Sequence, residues 1–163
     1  MFEHQCLNIV ICSVKIEEAI KQTKPFKSPY ERLVVNMMYT NNWIAEQIGG
    51  LYKEFGITEK QYNILRILKG AGKPVSTSYI RERMINKMSD VSRLVDRMFA
   101  KGLVEKNGCP NDKRLVDVLL TEKALELLET VNKKNEEINK VLNGLNEGEV
   151  NQLNGLLDKL RKN

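Results

Sequence analysis

The sequence holds one histidine, His4, and three cysteines, Cys6, Cys12 and Cys109. A single imidazole leaves little for acid–base catalysis near neutral pH. An odd cysteine count with no CxxC spacing argues against a disulfide framework and against a zinc site. There is no Gly-rich phosphate loop, no paired Cys/His cluster and no nucleophile elbow. An enzyme reading therefore starts without a site, and no cofactor or metal is implied. No apolar run approaches the roughly 18 residues that a membrane-spanning helix needs. The longest run near the start, Leu7 to Val14, contains Asn8 and Ser13 and follows Glu3 and His4 rather than a basic leader. It reads poorly as a secretion signal, so the expectation is a cytoplasmic protein with no membrane partner.

What is present is the balance of a globular domain: 163 residues, 42% hydrophobic and 29% charged. Net charge is +5, and its placement says more than its size. From Thr58 to Leu120 there are 13 Lys+Arg against 7 Asp+Glu, a surplus of +6, while the remaining 100 residues carry 13 against 14, or −1. A charged face alone is usually a solvated one. Segregation of the whole surplus into the middle third points instead to a polyanionic partner, nucleic acid first.

Ser28-Pro29-Tyr30-Glu31 has the form of a capping box with proline at the first helical position. Leu33, Met37, Ile44, Ile48, Leu51 and Phe55 then keep three-to-four spacing up to Gly56. At 1.5 Å per residue this helix is about 40 Å long, more than a small monomeric core covers, so a second chain is expected against it. Thr58-Glu59-Lys60-Gln61 opens another helix, through Ile64, Leu65 and Leu68 to the Gly70/Gly72 break. Ser76 is placed to cap a short helix from Thr77 to about Ile85. A polar turn at Asn86-Lys87 leads to a helix from about Met88 to Lys101, stopped by Gly102. Two short helices joined by a tight turn form the pattern of a helix-turn-helix.

The second of these helices divides its faces. Val91, Leu94, Val95, Met98 and Phe99 are expected to pack inward, leaving Lys87, Ser89, Asp90, Ser92, Arg93 and Arg97 to solvent or to DNA. Leu103–Lys106 and Leu115–Leu120 read as strands around a turn-rich, basic-ended segment from Asn107 to Arg114, so a wing follows directly. Thr121 caps a long helix carrying Ala124, Leu128, Val131, Ile138, Leu142 and Leu145. Asn146 starts a last one with Val150, Leu153, Leu157 and Leu160 in a stripe. Intrachain core would explain these stripes, but a dimer seam explains them better. Three amphipathic helices surround a module too small to cover them all.

Asp90-Val91-Ser92-Arg93-Leu94-Val95-Asp96-Arg97-Met98, followed by Lys101-Gly102-Leu103-Val104-Glu105, resembles the recognition helix and first wing strand of the multiple-antibiotic-resistance regulator (MarR) family. Asn111-Asp112-Lys113-Arg114, with Val116, Val118, Leu120 and Thr121, resembles that family's wing signature, and Gln61-Tyr62-Asn63-Ile64-Leu65 the helix before its helix-turn-helix. The likeness runs from about Ser28 to the C-terminus. It departs at Lys123-Ala124, where members often have glycine.

The resemblance implies a mainly α fold with a small β-wing: a winged helix-turn-helix over residues 58–120, with long dimerisation helices at 28–56 and 121–163. Residues 1–27 are then an N-terminal extension and short helix. It also implies a homodimer on palindromic double-stranded DNA, each recognition helix in the major groove and each wing in the minor groove. Many members are repressors released by a small aromatic ligand; others respond to cysteine oxidation.

On this reading Arg93 and Arg97 are placed to read guanine edges or clamp phosphate, and Ser89 and Ser92 to donate to either. Asp90 orients an arginine or accepts from cytosine, while Lys87 and Lys113 meet phosphate. Arg114 suits a narrow minor groove, and Asp112 fixes the wing by pairing with a basic neighbour. Tyr39, Trp43, Tyr62 and Arg66 are the candidates to line an aromatic ligand pocket, although aromatic residues at helical spacing are more often core.

Two other classes compete. A winged helix used purely as a protein-interaction module has no need of the basic surplus. A thiol-based redox enzyme needs a resolving cysteine, and none lies near Cys109 in sequence. Cys109 is therefore expected to be a bystander, with a redox-responsive regulator of the same fold as the alternative. Residues up to Ser13 look unlike the helix-forming stretch from Val14 to Ile20, and Val14 is the expected natural start.

Overall fold

The computed structural model describes residues 14–87, 89–109, 112–134 and 139–162, with backbone alone at 109 and 112–115. The elements are α1 (Ile16–Ala19), α2 (Pro29–Glu54), α3 (Glu59–Ala71), β1 (Val75–Ser76), α4 (Thr77–Arg83), α5 (Val91–Ala100), β2 (Val104–Cys109), β3 (Asp112–Leu120), α6 (Glu122–Lys133) and α7 (Glu147–Leu160). Two compact units share them. One contains the described residues up to Ile44 and those from Val141 onward; the other is Ala45–Lys140.

Capping chemistry sets most of the helix starts. Thr58 accepts from the Gln61 N–H while Gln61 accepts from the Thr58 N–H, so the expected box at α3 is complete. Ser76 caps α4 and Thr121 caps α6, as their hydroxyls suit them to do. Asn146 and Glu149 form a further box at α7. At α2 only half of the expected box closes. Ser28 accepts from the Glu31 N–H at 3.2 Å, but the Glu31 carboxylate accepts from Lys27, at 2.6 Å, one residue further back.

The core of Ala45–Lys140 joins one face of each element. Ile64, Leu65 and Leu68 of α3 meet Ile80 of α4, Val91, Val95 and Met98 of α5, and Ala124, Leu128 and Val131 of α6. Val104 and Val118 close it from the sheet. The sheet is antiparallel with strand order β1-β3-β2, Val75 opposite Val118 and Val104 opposite Leu120. The strand β1 is absent from the sequence reading because two residues carry no periodicity; its Val75 side chain, buried, holds it there. The wing strands extend further than expected, over 104–109 and 112–120, with a register shift between Gly108 and Cys109.

In the other unit, Ile16 of α1 is buried, and Arg32 of α2 reaches Glu17 at 2.5 Å and 3.3 Å. That hydrogen bond, helped by a backbone hydrogen bond and by the charges of Arg32 and Lys15, holds the Glu17 carboxyl below the usual carboxylate range against the opposing effect of desolvation. Tyr30, Leu33, Val34, Met37 and Met38 of α2 and Leu153, Leu156 and Leu160 of α7 are exposed apolar side chains. No residue of α7 is buried. Isolated surface leucines are ordinary, but rows of them on two helices are not.

Candidate nucleic-acid interface

The α4–turn–α5 segment is anchored from beneath by α3, where the Asn63 side chain accepts from the Ile85 N–H at 3.0 Å. The α5 helix begins at Val91, later than the expected Met88, because Asp90 is its cap and accepts from the Arg93 N–H at 3.2 Å. The second Asp90 oxygen lies 3.2 Å from Arg93 Nε. One carboxylate thus starts the helix and directs its first arginine. Arg93 remains largely solvent-facing, its side chain 80% exposed, and Ser92 and Arg97 share the exposed side.

Two side chains depart from the expected division of faces. Ser89, assigned to the exposed face, is buried: it precedes the cap, in a turn held by its N–H to the Asn86 carbonyl at 3.2 Å. Phe99, assigned to the core, is 53% exposed, because one residue past Met98 the stripe has turned off the core. The Lys106 ammonium lies 5.5 Å from the Phe99 ring and pairs with Asp96. Lys87 is exposed, and its ammonium donates to the Glu82 carbonyl. Asp112, Lys113 and Arg114 lie on β3, opposite β2; their side chains, like that of Cys109, lie outside the described residues.

Sequence reasoning missed the flank of α5. Thr58 and Lys60, at the start of α3, face Ser89, Asp90, Arg93 and Arg97 across an open cleft of about 500 Å³. The only signal was the capping box, which fixes where α3 begins but not what lies beside it.

Of the ligand candidates, Tyr62 and Arg66 come together. Arg66 Nη1 donates to the Tyr62 hydroxyl at 3.1 Å, and Tyr62 stacks on Tyr52 with ring centroids 4.6 Å apart. Burial, reinforced by Tyr62 and Glu59, pushes the Tyr52 phenol up to about 12, against the opposing pull of Arg66. Arg66, Lys69, Gly70 and Asn132 line a cleft of about 520 Å³. Tyr39 and Trp43 are exposed, one turn apart on α2.

A helix-turn-helix on a three-helix core, followed at once by an antiparallel hairpin, defines a winged helix-turn-helix. Known proteins agree. The sequence profile of the MarR family matches residues 55–115. The transcriptional repressor IacR of Pseudomonas putida is 30% identical over 143 residues, covering 87% of this chain and 80% of IacR. A cysteine-to-serine variant of MarR from E. coli, crystallised with operator DNA, is 25% identical with a TM-score of 0.71, covering 82% of this chain and 94% of its own. BpsR of Bordetella bronchiseptica, whose DNA binding is regulated by 6-hydroxynicotinic acid, shares the fold at 21% identity and a TM-score of 0.73, covering 86% and 99%. This chain belongs to the MarR family, whose members are transcription regulators and not enzymes. None of its described helices is long and apolar enough to cross a membrane.

Proposed function

We propose that this MarR-family regulator is a repressor that binds palindromic duplex DNA as a homodimer and is released by a small aromatic ligand. The observation that carries the DNA reading is the exposed face of α5, where Arg93, Arg97 and Ser92 project beside a capping carboxylate that steers Arg93. A guanidinium held by its neighbour is suited to bidentate recognition of a guanine edge. Lys87, and Lys113 and Arg114 of the wing, supply backbone and minor-groove contacts on this reading, with Asp112 stabilising the wing and Ser89 acting from within the turn.

Homodimerisation is supported by the apolar rows of α2 and α7, which the chain itself leaves exposed. Repression is supported by the likeness to IacR, and an aromatic effector by the likeness to BpsR. Tyr62 and Arg66 suit such a ligand, offering a ring face and a cation that pairs with carboxylate. Tyr39 and Trp43 are separate candidates, each tested by its own substitution.

The test is selection of bound sequences from a random duplex pool, followed by challenge of the complex with aromatic acids. A symmetric motif is expected, with half-sites about 34–36 Å apart. So is release that is weakened in Arg66→Ala. An asymmetric or absent motif overturns the DNA reading, and unchanged binding with every aromatic acid overturns the effector.

A further inference from the structure

We infer that the cleft between the starts of α3 and α5 is a seat for one phosphate of the DNA backbone, with Lys60 as its cation. The inference rests on the DNA-binding reading above and extends it to a helix outside the helix-turn-helix.

Three features converge there. First, two helix starts open onto one cleft: α3 at Thr58 and α5 at Asp90. The first backbone N–H groups of a helix have no acceptor within it, and both caps satisfy only the N–H three residues on. The remaining first-turn donors, with the positive end of each dipole, favour an anion. Second, Lys60, Arg93 and Arg97 line the cleft against Glu59 and Asp90. Asp90 is already engaged by Arg93, which leaves Lys60 and Arg97 in excess over Glu59.

Third, Ser89 lies in the wall of the cleft, and its hydroxyl is buried with no hydrogen-bond partner among the described residues. A buried hydroxyl left unpaired costs about 1–3 kcal/mol, so a donor kept in that position implies an acceptor that arrives. A phosphate oxygen is the acceptor that the surrounding charge selects. The cleft flanks the face that carries Arg93, so the occupant expected is a phosphate of the duplex that Arg93 reads. Lys60 is then a strand-positioning residue that carries no sequence preference.

The experiment uses the full chain and the duplex selected above, with salt titrations of wild type, Lys60→Ala and Lys60→Arg. Lys60→Ala is expected to weaken binding to selected and scrambled duplex alike, by about tenfold, and to flatten the log–log salt slope by about 0.9. Lys60→Arg should restore both, and the thermal midpoint should stay at the wild-type value, since Lys60 is exposed. Duplexes with one phosphate replaced by a neutral methylphosphonate identify the seat: at one position per half-site the replacement weakens wild type but not Lys60→Ala.

Effects that add at every position, or an unchanged slope in Lys60→Ala while wild type binds its selected motif, overturn the seat and leave the DNA reading standing. Competition by inorganic phosphate at constant ionic strength, with no sensitive methylphosphonate position, assigns the cleft to a free anion and overturns the seat as well. A wild type that binds no duplex overturns both.

Discussion

The ammonium of Lys101, at the end of α5, lies 2.6 Å from the Gly56 carbonyl and 3.2 Å from Gln61 Oε1. The contact ties the last turn of the exposed arginine helix to the junction between α2 and α3. From the other side α6 holds the same turn: Lys123 donates to the Lys101 carbonyl at 2.9 Å and Thr121 to the Gly102 carbonyl at 2.8 Å. The carbonyls of Arg97, Met98 and Phe99 accept from the N–H groups of Lys101, Leu103 and Gly102, and the α6 end satisfies the two carbonyls just beyond the helix. Lys101→Met removes a charged donor from two acceptors and should destabilise the protein by about 1–2 kcal/mol. Chemical denaturation checks this, with an unchanged slope against denaturant expected.

Glycines in different backbone conformations should respond to alanine with opposite signs. Gly49 and Gly50 lie inside α2, and an added Cβ at either meets nothing within 4 Å. Gly49→Ala and Gly50→Ala should each stabilise by about 0.5–1 kcal/mol, through lower backbone entropy in the unfolded chain. Gly102 has equal space but a φ of +68°, so Gly102→Ala should cost about 1–2 kcal/mol. Thermal melts of the three variants decide. A second copy packed closely on Gly49 or Gly50 would reverse the first sign.

The Tyr52 phenol should titrate late. It is pushed up to about 12 by burial, against about 10 in the unfolded chain. Because the folded value is the higher one, its contribution to stability is full below about pH 10 and is lost as pH rises towards 12. Ultraviolet titration of the phenolate band should show a late component near pH 12 that Tyr52→Phe removes.

Much of this architecture was legible because short polar signals mark its boundaries. Thr58, Ser76, Thr121 and Asn146 each read as a cap and each is one. The start of α5 is hard to read from sequence, because the Asp90 carboxylate suits a DNA-facing role and its side chain also decides where the helix begins. Ser89 falls before the helix starts, so no helical face describes it, while Phe99 shows the limit of face assignment from periodicity. A 10-residue helix offers under three turns, so residues at the edges of the stripe fall either way. The cleft beside Lys60 was illegible for a different reason, since it joins residues 58–60 to residues 89–97 and no local pattern records that meeting.

The central claim, that α5 reads base sequence through Arg93, is tested most directly by binding anisotropy. Wild type and Arg93→Ala are titrated against the selected duplex and against versions changed one base pair at a time. Arg93→Ala is predicted to cost about 1–3 kcal/mol per half-site and to lose its preference at one position in each half-site. The same ranking of base-pair variants in wild type and Arg93→Ala, at equal affinity, would contradict the account.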